Sequence, residues 1–315
     1  MVTSITDLEK RLEQLMQAVP TRGMERHPTI LKDISELPVE LQSRDLTAIA
    51  ARENIREIIS FPQQIQRGHH YVPKQALLFT STGIVHLLAS VWLGQEPAVT
   101  FIRADCLIYM KVTLILLYGF LEIVAESMPS PTRLAVEFNT VAWDQIARPI
   151  RQFLQDARNT PAASTERIPC PAHILPAVDA LPLKFINGVR IYGVLPGEKL
   201  GQLVFQPGTW ERRLLLFRRA ILANTLILLT SNYVVVVQEE LEVSQGWILS
   251  YIPRSRIASI QNNRCKKWNE LAYILNQRQQ KLDYKVLSTD EAAQSWRLCW
   301  VQHGNLWQDL PLQPV

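Results

Sequence analysis

The densest run of residues able to do chemistry lies late in the chain. Between positions 205 and 285 stand twelve cations, Arg212, Arg213, Arg218, Arg219, Arg254, Arg256, Arg264, Lys266, Lys267, Arg278, Lys281 and Lys285, against six acids. Five of them, Arg254, Arg256, Arg264, Lys266 and Lys267, lie close along the chain, with Trp268 beside them. Loops that brought these to one end of a sheet would form an anion site for phosphorylated headgroups, with Trp268 at a membrane interface. A solvated charged face is the simpler reading of the same residues.

Metal and catalytic patterns are weaker. His69 and His70 are adjacent, and neighbours on a strand point to opposite faces. Cys170 and His173 form a Cys-x-x-His in a proline-rich stretch, without the second pair that a tetrahedral site needs. There is no Gly-x-Ser-x-Gly elbow, no phosphate-cradling glycine loop and no His-Glu-x-x-His, and only 12 glycines occur in all. The sequence therefore assigns no catalytic residue, metal or cofactor, and the expectation is a protein that is not an enzyme.

The elements that must position the cations begin with two cores, because 315 residues with 47% hydrophobic and 20% charged residues exceed one ordinary domain. A formal charge of +4 is small for a dedicated nucleic-acid binder. The charge is uneven: residues 1–158 hold 16 Lys and Arg against 17 Asp and Glu, whereas residues 159–315 hold 17 against 12. An anionic partner is expected at the second half. Cys106, Cys170, Cys265 and Cys299 are widely spaced, which fits thiols of a reducing compartment. The opening residues lack a basic stretch followed by an apolar one, so the expected location is cytoplasmic, with peripheral contact at the inner membrane surface.

Two stretches raise the question of a membrane span. Residues 106–125 carry Lys111 and Glu122, each costing up to about 3 kcal/mol near a bilayer centre. Residues 220–238 lack charge, but Thr230-Ser231-Asn232 interrupts them as a hairpin turn would. Strands are the reading preferred for both, and a protein spanning the membrane near 106–125 and 220–238 is the alternative.

That hairpin occurs twice. Residues 76–87 align without gaps on residues 226–237, a shift of 150, and the spacing from Thr80 to Phe101 equals that from Thr230 to Tyr251. Residues 101–108 then meet residues 251–258. Further on, Arg133–Phe138 and Lys281–Val286 alternate like half-buried strands. Asn139 or Thr140 caps a helix predicted over 142–155, and Ser288 or Thr289 caps one over 290–302. Five prolines between 159 and 182 mark a linker. Ile5, Leu8, Leu12, Leu15 and Val19 form one helical stripe, about four turns long, that either docks on its own module or dimerises. Residues 29–60 add helical or mixed structure, interrupted at Pro38 and ended by Pro62.

The hairpin Leu228–Val235, the following Tyr251–Ile257 and the closing helix together resemble the bacterial pleckstrin-homology-like (PH-like) domains. The likeness covers roughly residues 55–158 and 190–303. In the first copy Arg103-Ala104 replaces Pro253-Arg254, and Gly83 stands where Tyr233 stands in the second. The resemblance implies an α+β chain of two tandem antiparallel barrel or sandwich modules, each with a C-terminal helix. The expected divisions are an N-terminal helical segment (1–54), a first module (55–158), a linker (159–182) and a second module (183–315). It also implies a binding or scaffolding role, since the fold takes lipid headgroups, peptides or other proteins. A protein partner is the first expectation, and anionic lipid headgroups at the second module are its refinement. Single-stranded nucleic acid, stacked on Trp268 and Tyr273, is a third reading that the low net charge disfavours.

Overall fold

In the computed structural model, the described residues are 27–65, 71–90, 92, 95–158, 175–213, 217–241, 246–264, 269–276, 281–304 and 307–310. The N-terminal stripe, His69-His70 and Cys170-x-x-His173 lie outside them. The fold is mixed α+β, with mostly antiparallel sheets and few helices, and among the described residues no sheet closes into a barrel.

In chain order the strands are β1 (Thr29–Leu31), β2 (Ile55–Phe61), β3 (Gln64–Ile65), β4 (Tyr71–Val72), β5 (Gln75–Thr80), β6 (Gly83–Leu88), β7 (Ala98–Arg103), β8 (Leu107–Ile115), β9 (Tyr118–Ala125) and β10 (Thr132–Asn139). They continue with β11 (Leu200–Gln206), β12 (Thr209–Arg213), β13 (Phe217–Leu222), β14 (Thr225–Thr230), β15 (Tyr233–Glu239), β16 (Trp247–Pro253), β17 (Ile257–Arg264), β18 (Asn269–Asn276), β19 (Lys281–Ser288) and β20 (Trp307–Leu310). The helices are α1 (Arg44–Ala50), α2 (Trp143–Asp156), α3 (Leu175–Asp179), α4 (Leu183–Gly188) and α5 (Asp290–Gly304).

Two compact units result. The first holds the residues up to Ala104 together with Val136–Asp156. Its five-stranded sheet runs β1-β2-β5-β6-β7. One core forms where Leu37, Leu41 and Leu46 pack with Ile58, Leu78, Val85 and Leu87. Asn139 caps the turn into α2 by accepting from Val141 N, as the sequence predicts. The inward stripe of α2 (Ile146, Ile150, Phe153, Leu154) is buried.

The second unit holds Asp105–Ala135 and the residues from Ala157 onward. Its larger sheet runs β10-β9-β8-β16-β15-β14-β11, and its smaller one runs β19-β18-β17-β20. The core between them joins Val234, Val236, Ile252, Ile260, Leu271, Tyr273 and Leu275 to Trp296 of α5. Both stretches that could have been spans are therefore strands. Residues 107–125 form the β8–β9 hairpin and residues 225–239 the β14–β15 hairpin. Among the described residues, no helix is long and apolar enough to cross a membrane.

The shift of 150 persists in three dimensions. β5 and β6 correspond to β14 and β15, β7 to β16, and β8 to β17. A one-turn 3-10 helix follows β7 and β16 alike, Ala104–Cys106 and Arg254–Arg256. Turn chemistry is copied too. Thr80 Oγ1 accepts from Gly83 N at 3.0 Å, and Thr230 Oγ1 accepts from Tyr233 N at 3.1 Å. Irregularities of register also coincide. β2 slips against β5 between Ile55 and Glu57, as β11 slips against β14 between Leu200 and Gln202. β8 slips against β9 between Leu107 and Tyr109, as β17 slips against β18 between Ile257 and Ser259. Bulges are positional features of a fold, and these two matching pairs of slips make the corresponding strands alike in register.

Candidate anion-binding site

Of the cations singled out by sequence, Arg254 and Arg256 sit on the 3-10 turn between β16 and β17. Their guanidinium groups point back into the protein. Arg254 Nη1 donates to the carbonyls of Thr230 and Ser231, each at 3.3 Å. Burial pulls its pKa down, opposed by the nearby Glu198. Arg256 donates from Nη1 to Glu126 at 2.9 Å, from Nε to the Leu107 carbonyl at 3.2 Å, and from Nη2 to the Asp105 carbonyl. A guanidinium engaged on several donors fixes geometry, and it offers little to an incoming phosphate. Arg264 ends β17 with its backbone opposite Asn269. Lys266, Lys267 and Trp268 lie outside the described residues, so of the sequence-derived set the structure places Arg254 and Arg256 on one turn and the backbone of Arg264 at the far end of β17.

A second arrangement of cations was counted in the sequence but not recognised as a group. β12 and β13 form a separate two-stranded ribbon whose register sets Arg212 opposite Arg218, Glu211 opposite Arg219, and Arg213 opposite Phe217. Like charges directly opposite on a ribbon are unfavourable by themselves. An anionic partner reverses that sign. Trp210, paired with Ala220 in the same ribbon, is 64% exposed. The ribbon's sequence signal is the symmetry of Arg212-Arg213 and Arg218-Arg219 about Leu214-Leu215-Leu216-Phe217.

An apolar tip lies elsewhere in the same unit. The β8–β9 hairpin turns at Leu116 and Leu117, which are 62% and 66% exposed, with Tyr118 partly exposed beside them. Leu116 has φ 48°. Two-residue hairpins that need positive φ favour Asn and Gly. Two leucines are thus held in water at a position whose local demands ask for something else.

Several titratable groups among the described residues are buried. Tyr109, Tyr273 and Tyr284 cluster in the core of the second unit, and Tyr284 donates to Ser250 Oγ at 2.5 Å. Burial pushes Tyr109 and Tyr284 up to about 12 and raises Tyr273 as well. Phenols so shifted stay protonated near neutrality and serve as packing with a polar end. Among the described residues, no three His, Cys, Asp or Glu side chains are placed to hold a metal ion.

Comparison with models of protein families finds no match to this chain, and no curated protein is similar enough in sequence to be a relative.

Proposed function

We propose that this protein is a non-catalytic scaffold of two tandem PH-like modules, whose second module rests on an anionic membrane surface at the cytoplasmic face. Each module is four strands, a 3-10 turn, three more strands and a closing helix: β2, β5–β10 and α2, then β11, β14–β19 and α5. The observation that carries the membrane reading is the β12–β13 register, which sets Arg212, Arg213, Arg218 and Arg219 along one two-stranded ribbon with Glu211 the sole acid of those strands. Exposed Trp210 supports it, since indole favours the interface between headgroups and hydrocarbon.

Each basic residue near an anionic surface contributes about 1 kcal/mol. Strand alternation sets Arg212 and Arg218 on the same face as Trp210, and these two supply roughly 2 kcal/mol, about thirtyfold in partitioning. Sedimentation with phosphatidylserine-containing vesicles tests this. The protein is expected to pellet with them at low salt, to be released at high salt, and to ignore phosphatidylcholine alone. Alanine at Arg212, Arg213, Arg218 and Arg219 should abolish pelleting. A parallel triple variant, Arg264→Ala with Lys266→Ala and Lys267→Ala, asks whether the loop nominated by sequence shares the load. Pelleting that survives the quadruple variant overturns the assignment to the ribbon, and a salt-sensitive gel shift with single-stranded DNA in place of vesicle binding overturns the membrane reading.

A further inference from the structure

The corresponding strands leave two matching edges, and among the described strands one of them is covered. Inside the second unit, β16 pairs with β8: Ile248 opposes Thr113, Leu249 Val112, Ser250 Lys111 and Tyr251 Met110. β16 is the fourth strand of the second repeat and β8 is the fifth strand of the first. This joint therefore links the fourth-strand edge of one repeat to the fifth-strand edge of the other. The same two kinds of edge recur at β7, the fourth strand of the first repeat, and at β17, the fifth strand of the second.

Their surroundings differ from those of the internal joint. Among the described strands, β7 has a partner on one side only, β6. Its side chains show the missing neighbour: Phe101 is 37% exposed, whereas Tyr251, its counterpart in β16, is 3% exposed. Val99 and Thr100 are half-buried, whereas their counterparts Leu249 and Ser250 are buried. The edge of β17 is occupied by β20, which pairs with it in parallel: Ile260 with Trp307, Gln261 with Gln308, Asn262 with Asp309 and Asn263 with Leu310.

Moving the β16–β8 register by the repeat shift sets Ala98 opposite Asn263, Val99 opposite Asn262, Thr100 opposite Gln261 and Phe101 opposite Ile260. On the β17 side these are the four residues that β20 covers. We propose that β7 of one molecule takes β17 of a second copy in this antiparallel register, and that β20 holds a single molecule back by occupying that edge. The contact uses different surfaces on the two molecules, so it can be repeated and builds open head-to-tail assemblies. β20 acts as the stop, and whatever draws it away starts the assembly.

Sedimentation equilibrium tests this with the full chain and two variants that free β17. One ends after Gly304, and the other, Gln308→Pro, removes a backbone donor from β20. Circular dichroism establishes that each is folded. The full chain should remain monomeric, while each variant's average mass should rise with concentration past that of a dimer. Adding Phe101→Lys, a charge on the receiving edge, should return both to monomers. The truncated Phe101→Lys chain still has an open β17, so it should form a one-to-one complex with the full chain. A folded variant that stays monomeric at every concentration overturns the proposal, and so does self-association that Phe101→Lys leaves unchanged.

Discussion

Glu198 is the place where one substitution should reveal most about the second unit. Its side chain is 0% exposed, and Arg158 Nε approaches it at 3.1 Å without hydrogen-bond alignment, so that contact is Coulombic. Glu198 accepts from Asn232 N at 2.8 Å and from Asn232 Nδ2 at 2.7 Å, which fastens the turn between β14 and β15. Glu198→Ala leaves a buried cation without its partner and a turn amide without its acceptor. Breaking one side of a buried pair costs about 3–5 kcal/mol. The first repeat holds an internal control: Glu53 accepts a single hydrogen bond, from Thr82 Oγ1, at the equivalent turn, and it is only half-buried. Glu53→Ala should cost about 1 kcal/mol. With a urea slope of about 3 kcal/mol per molar, the transition that Glu198 stabilises should fall by about 1–2 M, against less than about 0.5 M for Glu53→Ala. Equal shifts for the two variants would refute the argument that burial and charge at Glu198 set the difference.

Other perturbations read other parts of the fold. His86 is buried with Nε2 3.0 Å from Gln75 Oε1, and burial lowers its pKa to about 4. The unfolded chain binds the proton first as pH falls from about 6.5 to about 4. Stability should therefore drop through that window by up to about 3 kcal/mol, and His86→Gln should flatten the pH profile of the thermal midpoint. A Cβ at Gly83 would lie 2.1 Å from the carbonyl oxygen of Ile102, so Gly83→Ala should force β6 and β7 apart and cost about 2–4 kcal/mol by denaturation. Leu116→Asn should raise the melting temperature, because Asn tolerates φ 48° where Leu costs about 1 kcal/mol; a fall would mean that Leu116 is held in place by contacts.

The parts of the fold that were legible in the sequence were those with a local code. Thr80 and Thr230, each three residues before the strand that returns, mark their turns because a threonine hydroxyl can serve the backbone on both sides of a tight hairpin. Asn139 and Thr289 mark helix starts for the same kind of reason, and Thr289 Oγ1 accepts from Ala292 N at 3.2 Å. Strand neighbours were not legible. Nothing in β8 announces that its outer edge meets β16, some 140 residues away, because backbone pairing carries little side-chain signature. The candidate site suffered likewise. A count of charges cannot tell Arg256, which ends on two carbonyls and a carboxylate, from an arginine left to solvent, since the acceptors come from Asp105, Leu107 and Glu126.

The two sets of corresponding strands differ at the edge that Arg256 fastens. Arg256 bonds Glu126 and the carbonyls of Asp105 and Leu107, residues of the first repeat that flank β8, so it fastens the joint where β8 meets β16. The position that corresponds to Arg256 in the first repeat is Cys106. A thiol is a weak donor and has no charge. A pairing of β7 with β17 from a second copy would therefore repeat the backbone ladder of the internal joint without its three-pronged fastening. Charge-assisted hydrogen bonds at partly buried sites are each worth about 1.5–3 kcal/mol. Losing them separates a joint that holds within one chain from one that forms and dissolves between chains, and a strand as short as β20 is sufficient to compete with the weaker of the two.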